Sequence, residues 1–339
     1  MVFDAAGPTI DMAVPPLADV GADASQAEAL ALIAQGGPVT VFGFPGTGKT
    51  LLAELAAAQA LTSGKRVAVL TEGRHLAAEL DARIVRRAGL AQPSRVAVTP
   101  TSFAMSILRA RAQAVAASGA DGAVEAARAF EPQMVNGSDQ AATLSELLRS
   151  AADGDLPGVN WDGLVPREAL GLAAFRAEVR DLLTRAAERG LDAVGLEALG
   201  RREDRPEWIA AAHLYQAYLD RLALPSAGDV GLKLDAAAMV AQAELCLARW
   251  DFPVRLPGGE VTLEASARPA WDMVIMDSYQ EASLALHSLA ARLVAGGAQV
   301  VVLASPESTA QTYRGALPWQ AARSLAPAPA GWEAAGLVL

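Results

Sequence analysis

Residues 43–50 read GFPGTGKT. Glycine, four residues, then Gly-Lys-Thr is the spacing of a phosphate-binding loop, and the chemistry needs each part. Gly43, Gly46 and Gly48 allow a tight loop whose backbone N–H groups point inward at phosphate oxygens, with Pro45 and Thr47 between them. Lys49 reaches the outer phosphates. Thr50 offers a hydroxyl to magnesium, and the helix that follows aims its N-terminus at the anion. The chain has only three lysines, Lys49, Lys65 and Lys233, and one falls here. Far along the chain, WDMVIMDSYQEAS (271–283) carries four apolar residues, Met273–Met276, into Asp277. A buried strand leads into a magnesium-coordinating carboxylate in this way. A loop of this kind calls for a phosphate ligand without naming the reaction, since kinases, GTPases, clamp loaders and helicases share it.

The elements that must hold these residues can be read from periodicity. PVTVFGF (38–44), KRVAVLT (65–71) and SRVAVTP (94–100) are short apolar runs and read as strands. Between and after them, 24–35, 49–61, 74–89 and 101–118 read as helices, with Ser25 a candidate cap for the first. Residues 1–22, with Pro8, Pro15 and Pro16, read as an extended leader. The alternation predicts an α/β fold with a parallel sheet covered by helices on both faces. It stops after residue 118. Residues 119–250 show mostly helical patterns, the longest over 167–190 and 205–224. VTLEA (261–265) reads as a short strand after PGG (257–259). Strand and helix then resume with 273–277, 281–294 and 298–305. One α/β body, 23–111 plus 269–330, interrupted by a mainly helical insert, 112–268, accounts for this order.

Composition narrows the classes. Among 339 residues, 52% are apolar, so the chain is globular. No uncharged apolar run is long enough for a membrane span. The N-terminus lacks a basic region followed by an apolar core, which reads against a secretory signal. Cys246 is the one cysteine, so an internal disulfide is excluded and a reducing cytoplasm fits. His75, His213 and His287 show no metal-ligand spacing. Net charge is −10, the wrong sign for a general grip on nucleic acid. The acid is concentrated in the insert, where 15 Lys+Arg face 24 Asp+Glu, while the rest of the chain holds 13 against 14. Charge therefore leaves DNA contact open in the near-neutral part.

An ordered series of segments resembles superfamily-one DNA helicases of the UvrD/Rep type, from about residue 22 to 339. Within them the sequence looks most like actinobacterial helicase–nuclease subunits related to AdnA and AdnB. Besides the loop, LTEGRHLAAELDARI (70–84), TPTSFAMSILR (99–109), VIMDSYQEAS (274–283) and ASPESTAQTYRGA (304–316) resemble family motifs in family order. The resemblance implies a RecA-like ATP-binding domain (1A-like), with the insert in the place of the family's 1B domain. It implies ATP and Mg2+ as ligands, single-stranded or partly duplex DNA as substrate, and a role in DNA repair or recombination, with a partner helicase–nuclease subunit possible by analogy. Gln26 sits where the family reads adenine. Lys49, Thr50 and Asp277 would hold phosphate and magnesium, and Gln280 would couple nucleotide to motor. Thr101, Ser102 and Phe103 fall in a DNA-contacting motif, with Thr101 in the place of a histidine. Tyr313 stacks on a base in relatives, the alternative being a partly buried tyrosine. Arg314 contacts the strand or stabilises the site, the alternative being a surface ion pair.

The sequence also departs from the family pattern. Ser278 stands where the family has the glutamate that polarises the attacking water, and serine cannot hold a proton at neutral pH. Glu281 takes the family's second acidic place. Ser305 replaces an aspartate, Ser308 replaces a glutamine that senses the terminal phosphate, and Glu72 replaces a residue that is often aromatic. Residues 331–339 fall where a second RecA-like domain would begin. These departures make hydrolysis and unwinding by this chain alone doubtful, and leave a catalytically degenerate, nucleotide-binding subunit as the alternative. A kinase or GTPase-like switch has no place for DSYQEAS or YRGA.

Overall fold

The computed structural model describes residues 20–90, 95–161, 163–224, 231–305, 308–309 and 316, and the backbone of 335–338. From the N-terminus, α1 (Ala24–Ala34), β1 (Val39–Phe42), α2 (Lys49–Thr62), β2 (Val67–Leu70), α3 (Arg74–Arg87), β3 (Ala97–Val98) and α4 (Pro100–Ala117) alternate as the periodicity predicts. Then come α5 (Ala123–Phe130), β4 (Pro132–Met134), α6 (Gly137–Asp153), α7 (Ala173–Glu188), α8 (Ala193–Arg202), α9 (Pro206–Ala223), β5 (Leu232–Leu234) and α10 (Ala236–Ala248). A hairpin, β6 (Val254–Leu256) and β7 (Gly259–Val261), precedes β8 (Met273–Met276), α11 (Leu284–Ala295), β9 (Gln299–Ala304) and β10 (Ala335–Val338).

Six strands form one sheet in the order β10-β1-β9-β8-β2-β3, and every pairing in it is parallel. β8 and β9 are buried along their whole length, as strands covered on both faces must be. One face carries α1–α3, whose Ile33, Leu52, Ala56, Leu80 and Ile84 pack on Val41, Ile275 and Leu303. The other face meets α4, α10 and α11, through Phe103, Ile107, Met239 and Leu289 on Val274 and Val302. Across α2 and α3, the carboxylate of Glu54, 1% exposed, receives Arg83 and Arg87. Removing one partner of such a buried pair typically costs about 3–5 kcal/mol, so this contact fixes α3 against the helix of the phosphate loop.

Several sequence expectations need correction. α1 is capped by Asp23, whose carboxylate accepts from the backbone N–H of Gln26 at 2.8 Å, while Ser25 only donates to that carboxylate. Asp23 stands three residues before Gln26, the spacing a reciprocal cap needs. The long helix over 167–190 is two pieces, a 3-10 turn at Arg167–Gly171 and α7, separated by extended Leu172. The strand placed at 261–265 lies earlier, in the β6–β7 hairpin around Pro257 and Gly258. Residues 335–338 pair with β1 as an edge strand of the sheet.

The insert is also divided differently from its sequence boundary. A separate core draws on Leu144, Leu148, Trp161, Leu183, Leu196 and Leu214, from α6 to α9. Met239, Ala243 and Leu247 of α10, with Trp250, instead join the core on the sheet. The sequence boundary followed the break in alternation, and α10 looks like its helical neighbours until its apolar face finds the sheet.

Candidate functional site

The phosphate loop runs from the end of β1 into α2. Gly43 donates its N–H to Ala304 at the end of β9. Pro45 and Gly46 are exposed at the loop tip. The Thr47 hydroxyl donates to the carbonyl of Phe44 at 2.9 Å. Gly48 caps α2 in the left-handed region, φ 80°, and a Cβ there would press on the side-chain amide of Gln26. The left-handed conformation is what calls for glycine here. Gln26 is buried against the loop, accepting from the N–H of Asp23 and donating to the carbonyl of Thr47 at 3.3 Å. Gln299 of β9 donates to the carbonyl of Ile33 at 2.6 Å, so α1, which carries Gln26, is tied near both ends.

Lys49 Nζ donates to the carbonyls of Gly43 and Phe44 at 2.8 and 2.9 Å, which holds its ammonium at the loop. Burial pulls its pKa below the ordinary lysine value, and the nearby Asp277 partly opposes this. Thr50 Oγ1 donates to Asp277 Oδ2 at 2.8 Å, across 227 residues of sequence. Asp277 is 6% exposed. Burial raises its pKa, opposed by the Thr50 hydroxyl, by the N–H of Ser278 and by the charge of Lys49. Loop and carboxylate thus meet at one point.

Ser278 has φ 55° and ψ 38°, left-handed for a non-glycine residue, and its N–H donates to Asp277 Oδ1 at 2.9 Å. The 3-10 turn Tyr279–Glu281 follows. Tyr279 is buried and its hydroxyl is hydrogen-bonded to His287 Nδ1 of α11 at 2.8 Å, which anchors the turn. Gln280 Oε1 accepts from the N–H of Ser305 at 2.9 Å, and the Ser305 hydroxyl donates to the carbonyl of Gly43 at 3.0 Å. Sequence reading took Ser305 only as a lost aspartate. In the structure it links Gln280 to the phosphate loop. Glu281 turns elsewhere and accepts from the Thr309 hydroxyl at 2.9 Å.

The segment at 99–103 is a helix start. Thr99 caps α4, with its side chain accepting from the N–H of Ser102 at 3.2 Å, and Pro100 occupies the first turn. Thr101 lines a cleft of about 400 Å³ between the sheet body and α6, α7 and α10. Ser102 is exposed beside its cap partner. Phe103, singled out in sequence as a DNA contact, is 3% exposed and packs on Trp271 with ring centroids 4.5 Å apart. Its ring is spent on the core and offers no face to a strand. Tyr313 and Arg314 lie outside the described residues. The cleft is rich in acid: Glu72, Asp181, Glu188, Asp235 and Glu281 line it with Arg180 and Arg185. Burial pushes Glu188 up to about 7, against the pull of Arg189 and Arg185.

A parallel sheet with a glycine-rich loop at one strand end and a buried acid at another defines a RecA-like P-loop ATPase body. The model of the UvrD/REP helicase N-terminal domain matches residues 22–319, and the chain belongs to that family. It is the ATP-binding motor domain of a helicase. Comparison with curated proteins finds no match. No helix among the described residues is long and apolar enough to cross a membrane.

The Thr50 hydroxyl and the Asp277 carboxylate, from distant parts of the chain, touch beside the loop. Hard oxygens with a single carboxylate suit magnesium, which completes its shell with water and substrate phosphates. The backbone at Gly46 and Gly48, both at positive φ, suits the phosphates themselves.

Proposed function

We propose that this chain binds Mg-ATP in the pocket of Gly43–Thr50 and Asp277, and serves a DNA helicase as a motor half with little hydrolysis of its own. The 2.8 Å contact between Thr50 and Asp277 carries this reading, because it sets a hydroxyl and a carboxylate side by side at the phosphate loop. Lys49 neutralises the outer phosphates, and Gln26, packed on Gly48, reads the adenine edge. Thr50 and Asp277 would hold magnesium, which when bound withdraws charge from the terminal phosphate. Gln280, bonded through Ser305 to the loop, passes the state of the nucleotide to the turn after β8. Thr101 and Ser102 face DNA, with Phe103 as the core anchor behind them.

The division into an ATP-binding body and a 1B-like insert belongs to the same reading. So do a role in repair or recombination, kinship with AdnA/AdnB-type subunits, a partner helicase–nuclease subunit and a cytoplasmic site. Ser278 favours a second reading, a degenerate subunit that binds nucleotide and structures a partner helicase. Asp277→Ala tests the pocket. Titrated with ATP, the variant should lose most of the affinity that magnesium adds and keep its magnesium-free affinity. Unchanged magnesium dependence would remove Asp277 from the site.

A further inference from the structure

Thr71, immediately after β2, is 1% exposed, and its hydroxyl finds no hydrogen-bond partner among the described residues. The strand geometry says where that hydroxyl lies. On β2, Ala68 and Leu70 enter the core under α4 and α10, and Val69 enters the core under α2. Side chains alternate along a strand, so Thr71 turns toward α2. β8 divides in the same way, with Met273 and Ile275 on the α2 side. Asp277 continues that series and meets Thr50 of α2. Leu70 pairs with Met276, and the N–H of Asp277 donates to the carbonyl of Leu70 at 2.8 Å. Thr71 and Asp277 are therefore neighbours on one face, at the end of the sheet where the phosphate loop sits.

A valine would fill a buried strand position without leaving a hydroxyl unsatisfied, so the threonine carries a stability cost that packing does not explain. We propose that Thr71 is a positioning residue of the magnesium–nucleotide site: its hydroxyl and the Asp277 carboxylate share one water of the ion's hydration shell. Adjacent strands stand about 4.8 Å apart, a gap across which a water can bridge two polar side chains. Magnesium keeps several of its waters when bound. Such a water has two hydrogens to give, and the threonine oxygen and the carboxylate are both acceptors. The proposal rests on the Mg-ATP reading above and adds to it a residue from a different strand.

The test uses the 339-residue chain and titrates ADP over a series of magnesium concentrations, with thermal melting alongside. Thr71→Val keeps the branched shape and removes the hydroxyl. It should melt at or above the unaltered chain and bind ADP equally well without magnesium. The magnesium needed for half of its effect on ADP affinity should rise about tenfold, the usual cost of losing a group behind a metal ligand. Thr71→Ser should return that value to within about twofold of the unaltered chain. Unaltered magnesium dependence in Thr71→Val overturns the proposal alone. A Thr71→Val chain that melts well below the unaltered one makes the hydroxyl structural and overturns it too. If the unaltered chain binds ADP no better with magnesium than without, the Mg-ATP reading fails and this proposal falls with it.

Discussion

Ser278, which we propose stands in place of a water-activating carboxylate, has a left-handed backbone. Such a conformation costs a non-glycine residue about 1–2 kcal/mol, and serine already bears it, so glutamate adds no new backbone strain. Ser278→Glu is thus a clean test of the proposed loss of a base. Measured in an assembly that includes a second motor domain, it should raise DNA-stimulated ATP turnover by about 10²-fold or more. No gain would show that the base is not the limiting defect. At this scale the sequence was most legible in the Gly-x4-Gly-Lys-Thr spacing, which folds as a loop between β1 and α2. It was least legible where burial decides, as with Phe103, which reads as a contact residue and is packed on Trp271. Ser305 shows in the sequence only as a replaced aspartate and Thr71 not at all, because a hydroxyl announces its role only through its neighbours.

Between elements, the strands and the helices covering them followed from alternation and from the turns at Gly and Pro. α10 and the hairpin were misplaced because periodicity reports an apolar face without saying what it packs on. The contact of α7 and α10 with the sheet body makes an acidic cleft, and Glu188, at the end of α7, is its most perturbed acid. Its carboxyl, about 7 in the fold against 4.5 ordinarily, binds its proton more tightly when folded. Its contribution to stability is therefore full below pH 4.5 and is lost as pH rises toward 7. Asp235, Glu281, Arg180 and Arg185 face the same cleft and stay in place in a Glu188→Gln chain. That variant should match the unaltered chain at pH 4 and exceed it by about 1 kcal/mol at pH 8, a figure reduced for solvent reaching the cleft. Denaturant melts at the two pH values read this directly, and identical profiles would show that burial of Glu188 costs nothing.

For the whole molecule, the sheet order brings the ends of β1, β8 and β9 together, and the site exists only because of that order. The parallel order β1-β9-β8-β2 sets the ends of β1 and β8 close enough for Thr50 to meet Asp277. The small β4–β5 sheet and the edge position of β10 depend on long-range pairing that no local pattern encodes. Nucleotide binding by this body is the claim on which the rest depends, and calorimetry of Mg-ATP with the 339-residue chain and its Lys49→Ala variant tests it most directly. We expect measurable binding by the unaltered chain and a loss of about tenfold or more in Lys49→Ala, since hydrogen bonds to a charged group are worth about 1.5–3 kcal/mol. Equal affinity in the two chains would contradict the assignment of the loop as the site.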